Sequence, residues 1–149
     1  YKIDGGALTE FAWVDEIGTS SRWLNIAALY DQDGDGTMEL AWVQTPHIGG
    51  ILKVARIAAG ELTVLAQVSQ FSNHAIGERN LCLSVVTEGD DGTTLYVPTQ
   101  SREQIAGFQF TEDAWVGSAT IDQQVDFSQS LASQHDFSSV VQGGDCDRP

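Results

Sequence analysis

Between Asn25 and Thr120 the chain runs in short apolar or alternating blocks, broken at intervals by Gly-, Pro- and Asp-containing stretches. Asn25-Ile-Ala-Ala-Leu-Tyr30 and Met38-Glu-Leu-Ala-Trp-Val-Gln44 flank an acidic loop; Ile51-Leu-Lys-Val-Ala-Arg-Ile57 and Leu62-Thr-Val-Leu-Ala-Gln-Val68 flank Ala58-Ala-Gly60. Period-2 blocks of this length, rich in Val, Ile and Leu and joined by small polar residues, predict strands in antiparallel hairpins. The same order returns downstream in Asn80–Val86, Glu88–Gly92, Thr94–Pro98, Ile105–Phe110 and Ala114–Thr120.

The recurrence has a period. Asn25 and Asn80 are 55 residues apart, as are Leu40 and Leu95, and Ala7-Leu-Thr9 relates to Glu61-Leu-Thr63 at a spacing of 54. A four-stranded antiparallel unit repeated at this length is the pattern of a β-propeller blade, which is apolar on both faces and buries them by stacking on neighbours. The expected architecture is therefore all-β, with blades at 19–69 and 73–122, the end of another blade at 1–16, and a polar C-terminal tail at 123–149. That is about two and a half blades against the four or more of a closed ring, so the missing blades would come from the same or another chain. A β-sandwich of about ten strands is the alternative that needs no further blades. The tail either returns a strand near Phe137–Gln142 or stays loose, its Ser-, Gln- and Asp-rich composition favouring the second. Trp13, Trp23, Trp42 and Trp115 lie in or beside strand-like blocks and are expected to pack rather than to line a pocket.

Charge narrows the range of partners. Seven Lys and Arg face 21 Asp and Glu, a formal net charge of −14. No basic cluster is present to meet phosphates or an anionic bilayer, so neither nucleic acid nor membrane insertion is expected. For the two cysteines, a Cys82–Cys146 disulfide in an oxidising compartment and a buried Cys82 thiol with an unpaired Cys146 both remain open.

The most informative stretch is Asp31-Gln-Asp-Gly-Asp-Gly-Thr-Met-Glu39. Asp31, Asp33 and Asp35 alternate, so a tight loop can turn all three toward one cation, and Gly34 and Gly36 permit the left-handed backbone such a turn uses. The Thr37 carbonyl and the Glu39 carboxylate would complete an oxygen cage. Its irregular, all-oxygen character suits Ca²⁺ better than Mg²⁺, and the lack of Cys or His within it argues against Zn²⁺. An EF-hand is excluded because its twelfth position would be Trp42 and both flanks read as strands. The downstream Glu88-Gly-Asp-Asp-Gly92 lacks the alternation and is expected to be a turn without metal.

At these residues the chain resembles the FG-GAP/VCBS repeats of integrin-like β-propellers, whose signature is an apolar strand, an Asp-x-Asp-Gly-Asp-Gly-x-x-Asp/Glu loop and a second apolar strand. Ile26–Tyr30, Asp31–Glu39 and Leu40–Val43 match that order, and the stretches TPHIGGILKV and FSNHAIGE resemble segments of uncharacterised bacterial members. The resemblance implies calcium on Asp31, Asp33, Asp35, the Thr37 carbonyl and Glu39. The Phe-Gly and Gly-Ala-Pro elements of the family are replaced here by Arg22-Trp23 and Gln44-Thr45-Pro46.

Catalytic signatures are sparse. There is no Gly-x-Ser-x-Gly elbow and no His-Glu-x-x-His motif, and His47, His74 and His135 are scattered, the first two in loops. The expected function is a non-catalytic calcium-binding module of an extracellular, periplasmic or cell-surface protein, holding a protein or glycan ligand or serving adhesion. The alternative is a piece of a propeller hydrolase or lyase acting on polysaccharides, and a purely structural spacer is a third reading.

Overall fold

The computed structural model describes residues 1–13, 17–20, 22–111, 114–137 and 139–143. Val14 and Glu16 at the end of the first expected repeat, and Cys146, lie outside them. The protein is all-β and its sheets are antiparallel. An N-terminal hairpin pairs β1 (Lys2–Asp4) with β2 (Ala7–Thr9). The first large sheet orders β3 (Leu24–Tyr30), β4 (Glu39–Gln44), β5 (Ile51–Ala58) and β6 (Glu61–Ser69) as a simple meander. The second contains β7 (Val85–Gly89), β8 (Gly92–Pro98), β9 (Gln104–Thr111) and β10 (Ala114–Asp122); after a single helical turn, α1 (Leu131–Gln134), the strand β11 (Val140–Gly143) returns beside β7.

Local chemistry sets the turns. β5 and β6 are joined through Ala59 and Gly60, with φ of 52° and 84°. A two-residue turn with both φ positive matches the twist of a hairpin, and Gly takes the second position without steric cost. β7 and β8 close through Asp90-Asp91 between the paired Gly89 and Gly92.

Packing follows from alternation along the strands. Ala28, Tyr30, Ala41, Val43, Leu52 and Val54 of the first sheet form one buried cluster with Val86, Leu95, Val97 and Phe108 of the second, and Phe71 closes it between them. Phe71 meets Phe108 edge-on at 5.2 Å, and Trp115 stacks on Phe108 at 4.9 Å. Burying each such aliphatic side chain contributes about 1.5–3 kcal/mol. Neighbouring strand residues point to opposite faces, so Leu40 and Trp42 lie on the side of their sheet away from Ala41 and Val43. Their counterparts 55 residues later, Leu95 and Val97, face the first sheet, whereas Tyr96, the counterpart of Ala41, faces away from it. The front of the first sheet thus sits on the back of the second, the arrangement of two successive copies in a stack.

The front of the second sheet is covered by the C-terminal segment. Val125, Phe127 and Leu131 pack on Leu83, Val85 and Ile105, with Tyr96, Ile121 and Phe137 at the margin. β11 pairs with β7, and Gln142 Oε1 accepts the Leu29 N–H of the first sheet at 3.1 Å. The tail therefore runs along the fold through residue 143, and its apolar residues Val125, Phe127 and Leu131 are what hold it. By contrast Ile26, Leu29 and Val64 of the first sheet are 48%, 46% and 46% exposed.

One segment departs from the alternation. Residues 80–84 read as strand in sequence, yet β7 begins only at Val85. Asn80 is the cause: its Oδ1 accepts the Cys82 N–H at 2.9 Å, and its amide donates to the carbonyls of Phe127 and Gln129. The Cys82 carbonyl accepts the Leu131 N–H, so this stretch serves the tail rather than a ladder. Cys82 itself is disulfide-bonded.

The junction between the sheets is tight at Gly50, where an added Cβ would lie 1.6 Å from the Phe71 carbonyl oxygen. Gly50→Ala is expected to destabilise the fold by about 3 kcal/mol through overpacking, read by urea denaturation. Gly117→Ala, whose Cβ meets nothing within 4 Å, should lie within about 0.5 kcal/mol of wild type.

Candidate metal centre

The acidic stretch forms the loop from β3 to β4, at one end of the first sheet. Its backbone is wrapped on its own carboxylates. Asp31 Oδ1 accepts the Gly34 N–H and Oδ2 the Gly36 N–H, both at 2.8 Å, with Gly34 and Gly36 at φ of 75° and 84°. Asp33 Oδ1 accepts the Asp35 N–H at 3.3 Å, and Asp35 Oδ1 the Thr37 N–H at 2.6 Å. Thr37, first through its backbone N–H, holds the Asp35 carboxyl below the usual aspartate range.

Glu39 opens β4 and is fully buried. Its Oε2 accepts the Gln32 N–H at 3.1 Å, which fastens the start of the loop to its end. Oxygen atoms of Asp31, Asp33 and Glu39 lie within 4.8 Å of one another. Among the described residues this is the only group of three or more His, Cys, Asp or Glu so arranged; Asp35 stands outside it, and the Thr37 N–H is bonded to Asp35 rather than to that group.

A residue that sequence reasoning did not single out completes the arrangement. Arg56 on β5 is paired in register with Glu39 on β4. Its Nε donates to Glu39 Oε1 at 2.7 Å and its Nη2 to Asp33 Oδ2 at 2.8 Å, while Nη1 lies 3.8 Å from Asp35 Oδ2. The planar fork spans carboxylates that a single ammonium could not bridge together. The hydrogen bond to Glu39, then that to Asp33, pushes the Arg56 guanidinium further toward the charged form. Burial, and then the charge of Glu39, push the phenol of neighbouring Tyr30 up. Arg56 was legible only as a register partner: once β4 and β5 are aligned, it falls opposite Glu39.

The donor set suits a hard cation. Three carboxylates with neither nitrogen nor sulfur among them favour Ca²⁺ or Mg²⁺ over transition metals. The second hairpin turn, at Asp90-Asp91, brings no comparable group together among the described residues.

The remaining candidates separate. His47 and His74 are in direct contact, Nε2 to Nδ1 at 2.8 Å, although 27 residues apart; His135 is remote from them in sequence and bonds Gln123 Oε1 at 3.0 Å. Trp42 is buried and Trp115 packs half-buried against the core, whereas Trp13 is 71% exposed beside Gly60–Thr63. No family model matches the chain, and neither a curated protein nor a solved structure matches it significantly.

Removing Arg56 leaves the Glu39 charge buried without its partner. Arg56→Ala is expected to cost about 3–5 kcal/mol in chelator-treated protein, measured by urea denaturation, and Arg56→Lys an intermediate amount because a point charge cannot reproduce both short bonds.

Proposed function

We propose that this chain is a calcium-binding β-repeat module of an exported or cell-surface protein, built as two consecutive blades of an FG-GAP/VCBS-like propeller and used for non-catalytic binding of a protein or glycan, or for adhesion. The observation that carries the metal reading is the convergence of Asp31, Asp33 and Glu39 on a glycine-containing β-hairpin loop. Asp31, Asp33, Asp35, the Thr37 carbonyl and Glu39 would hold the ion, which would supply positive charge and rigidity rather than chemistry. Calcium would compete with Arg56 for Glu39 and Asp33, so occupancy exchanges one cation for another.

Other observations support the wider reading. The front-to-back stacking of the two large sheets is how blades succeed one another in a ring. The half-exposed Ile26, Leu29 and Val64 give a further blade an apolar surface to meet. A disulfide at Cys82 fits an oxidising, extracytoplasmic compartment.

Calcium at about 100 times its dissociation constant should stabilise the protein by about 2.7 kcal/mol over the chelated form, measured as a rise in urea midpoint, with a smaller response to equimolar Mg²⁺. Asp33→Ala should remove the response. Equal midpoints in chelator and in millimolar calcium would refute the metal assignment.

A further inference from the structure

A second constellation lies away from the acidic loop, where the segment linking the two sheets crosses the first sheet. Trp23 immediately precedes β3, His47 sits in the loop from β4 to β5, and His74 lies in the connector between β6 and β7. The three rings touch in pairs, with centroids 4.6–5.1 Å apart. Trp23 Nε1 donates to His47 Nδ1 at 3.3 Å, His47 Nε2 is 2.8 Å from His74 Nδ1, and His74 Nε2 is 3.0 Å from the Glu78 carbonyl oxygen.

The two ends of this chain fix every proton in it. An indole N–H only donates and a carbonyl oxygen only accepts. His47 Nδ1 therefore accepts, which makes Nε2 the donor; His74 Nδ1 then accepts, and its Nε2 donates to Glu78. Both imidazoles are neutral, each in a single tautomer, and neither ring has a nitrogen left to take a proton. An imidazolium donates from both nitrogens, so adding a proton to either ring sets N–H against N–H at one junction.

We propose that Trp23, His47 and His74 form a proton-operated latch that ties the start of β3 and the loop from β4 to β5 to the inter-sheet connector and loosens as pH falls. The proton goes to His47 Nδ1, since that keeps the link to His74 and gives up only the longer bond from Trp23. Trp23 then leaves the latch, while the connector keeps the bond from His74 Nε2 to the Glu78 carbonyl, the turn from the Glu78 N–H to the Ala75 carbonyl, the bond from the Ser72 hydroxyl to the His74 carbonyl, and the Asn73 amide bonds to the Asn25 and Ile26 carbonyls.

The surroundings favour the neutral state. Arg22, beside Trp23 and His47 in a cleft of about 250 Å³ that also includes Thr45, Ile48 and Ile76, is the charged side chain lining that cleft. Glu78 meets His74 through its backbone carbonyl, and no described ion pair brings a carboxylate to either ring. Burial, and then the neighbouring His74, hold the His47 imidazole below the usual histidine range. A folded-state value below the unfolded one means the unfolded chain binds more protons. The stabilisation is therefore complete above about pH 6.5, the ordinary histidine value, and is lost as pH falls through the lower folded-state value. Thr45, at φ 51°, donates its N–H to the Trp23 carbonyl at 2.9 Å, so the loop bearing His47 is strained and fastened to the same strand end.

The test is an NMR titration of the full chain from pH 8 to pH 5, following the chemical shift and the hydrogen exchange of the Trp23 indole N–H, assigned by loss in Trp23→Phe. Below a midpoint under pH 6.5 the indole signal should move to a solvent-exposed position, and its exchange, corrected for its intrinsic pH dependence, should accelerate about fivefold, as expected for one ordinary hydrogen bond. In His47→Gln, whose amide accepts and donates without titrating, neither change should occur. An indole signal constant across the range in wild type, or the same transition persisting in His47→Gln, would overturn the latch; the wild-type titration decides even if the variant folds poorly.

Discussion

Each of the two large sheets of this protein is apolar on both faces, and that is the constraint on which the rest of the structure depends. A sheet with one apolar face is satisfied by a single covering layer; one with two needs a partner on each side. The first sheet places Val43, Leu52 and Val54 against Leu95 and Val97 of the second. The second then still carries Val85 and Ile105 on its far side, beside Leu83, and the C-terminal segment supplies Val125, Phe127 and Leu131 to cover them. Order of layers and placement of the tail follow from that requirement.

Much of this was legible in the sequence because alternation and spacing are local. Strands β3–β6 and β8–β10 lie close to where period 2 places them, and the spacing of 55 between Leu40 and Leu95 proves to mean the same face of successive sheets. The described residues form no closed ring of sheets. Residues 80–84 alternate like a strand, but Asn80 uses its side chain to take the Cys82 N–H and to hold two carbonyls of the tail, a competition that alternation does not register. The return of β11 was one of two readings of the tail, and composition favoured the other: Val140 and Val141 sit in a polar context, and the strand gains its place from the open edge of β7.

The sites show the same division. Asp31, Asp33 and Glu39 announce themselves within nine residues. Arg56 does not, since its role arises from the register of β4 with β5. His47 and His74, 27 residues apart in two loops, are joined only by the way the connector crosses the end of the first sheet.

The guanidinium among the aspartates carries a consequence for the life of the molecule outside controlled solution. A hairpin whose clustered negative charge is balanced only by a dissolved ion exists at the mercy of the surrounding medium. Here an arginine from the adjacent strand, attached by its own backbone, neutralises part of that charge at Glu39 and Asp33 wherever the protein goes. Part of the repulsion that would oppose closing the hairpin is thereby cancelled from within the chain itself.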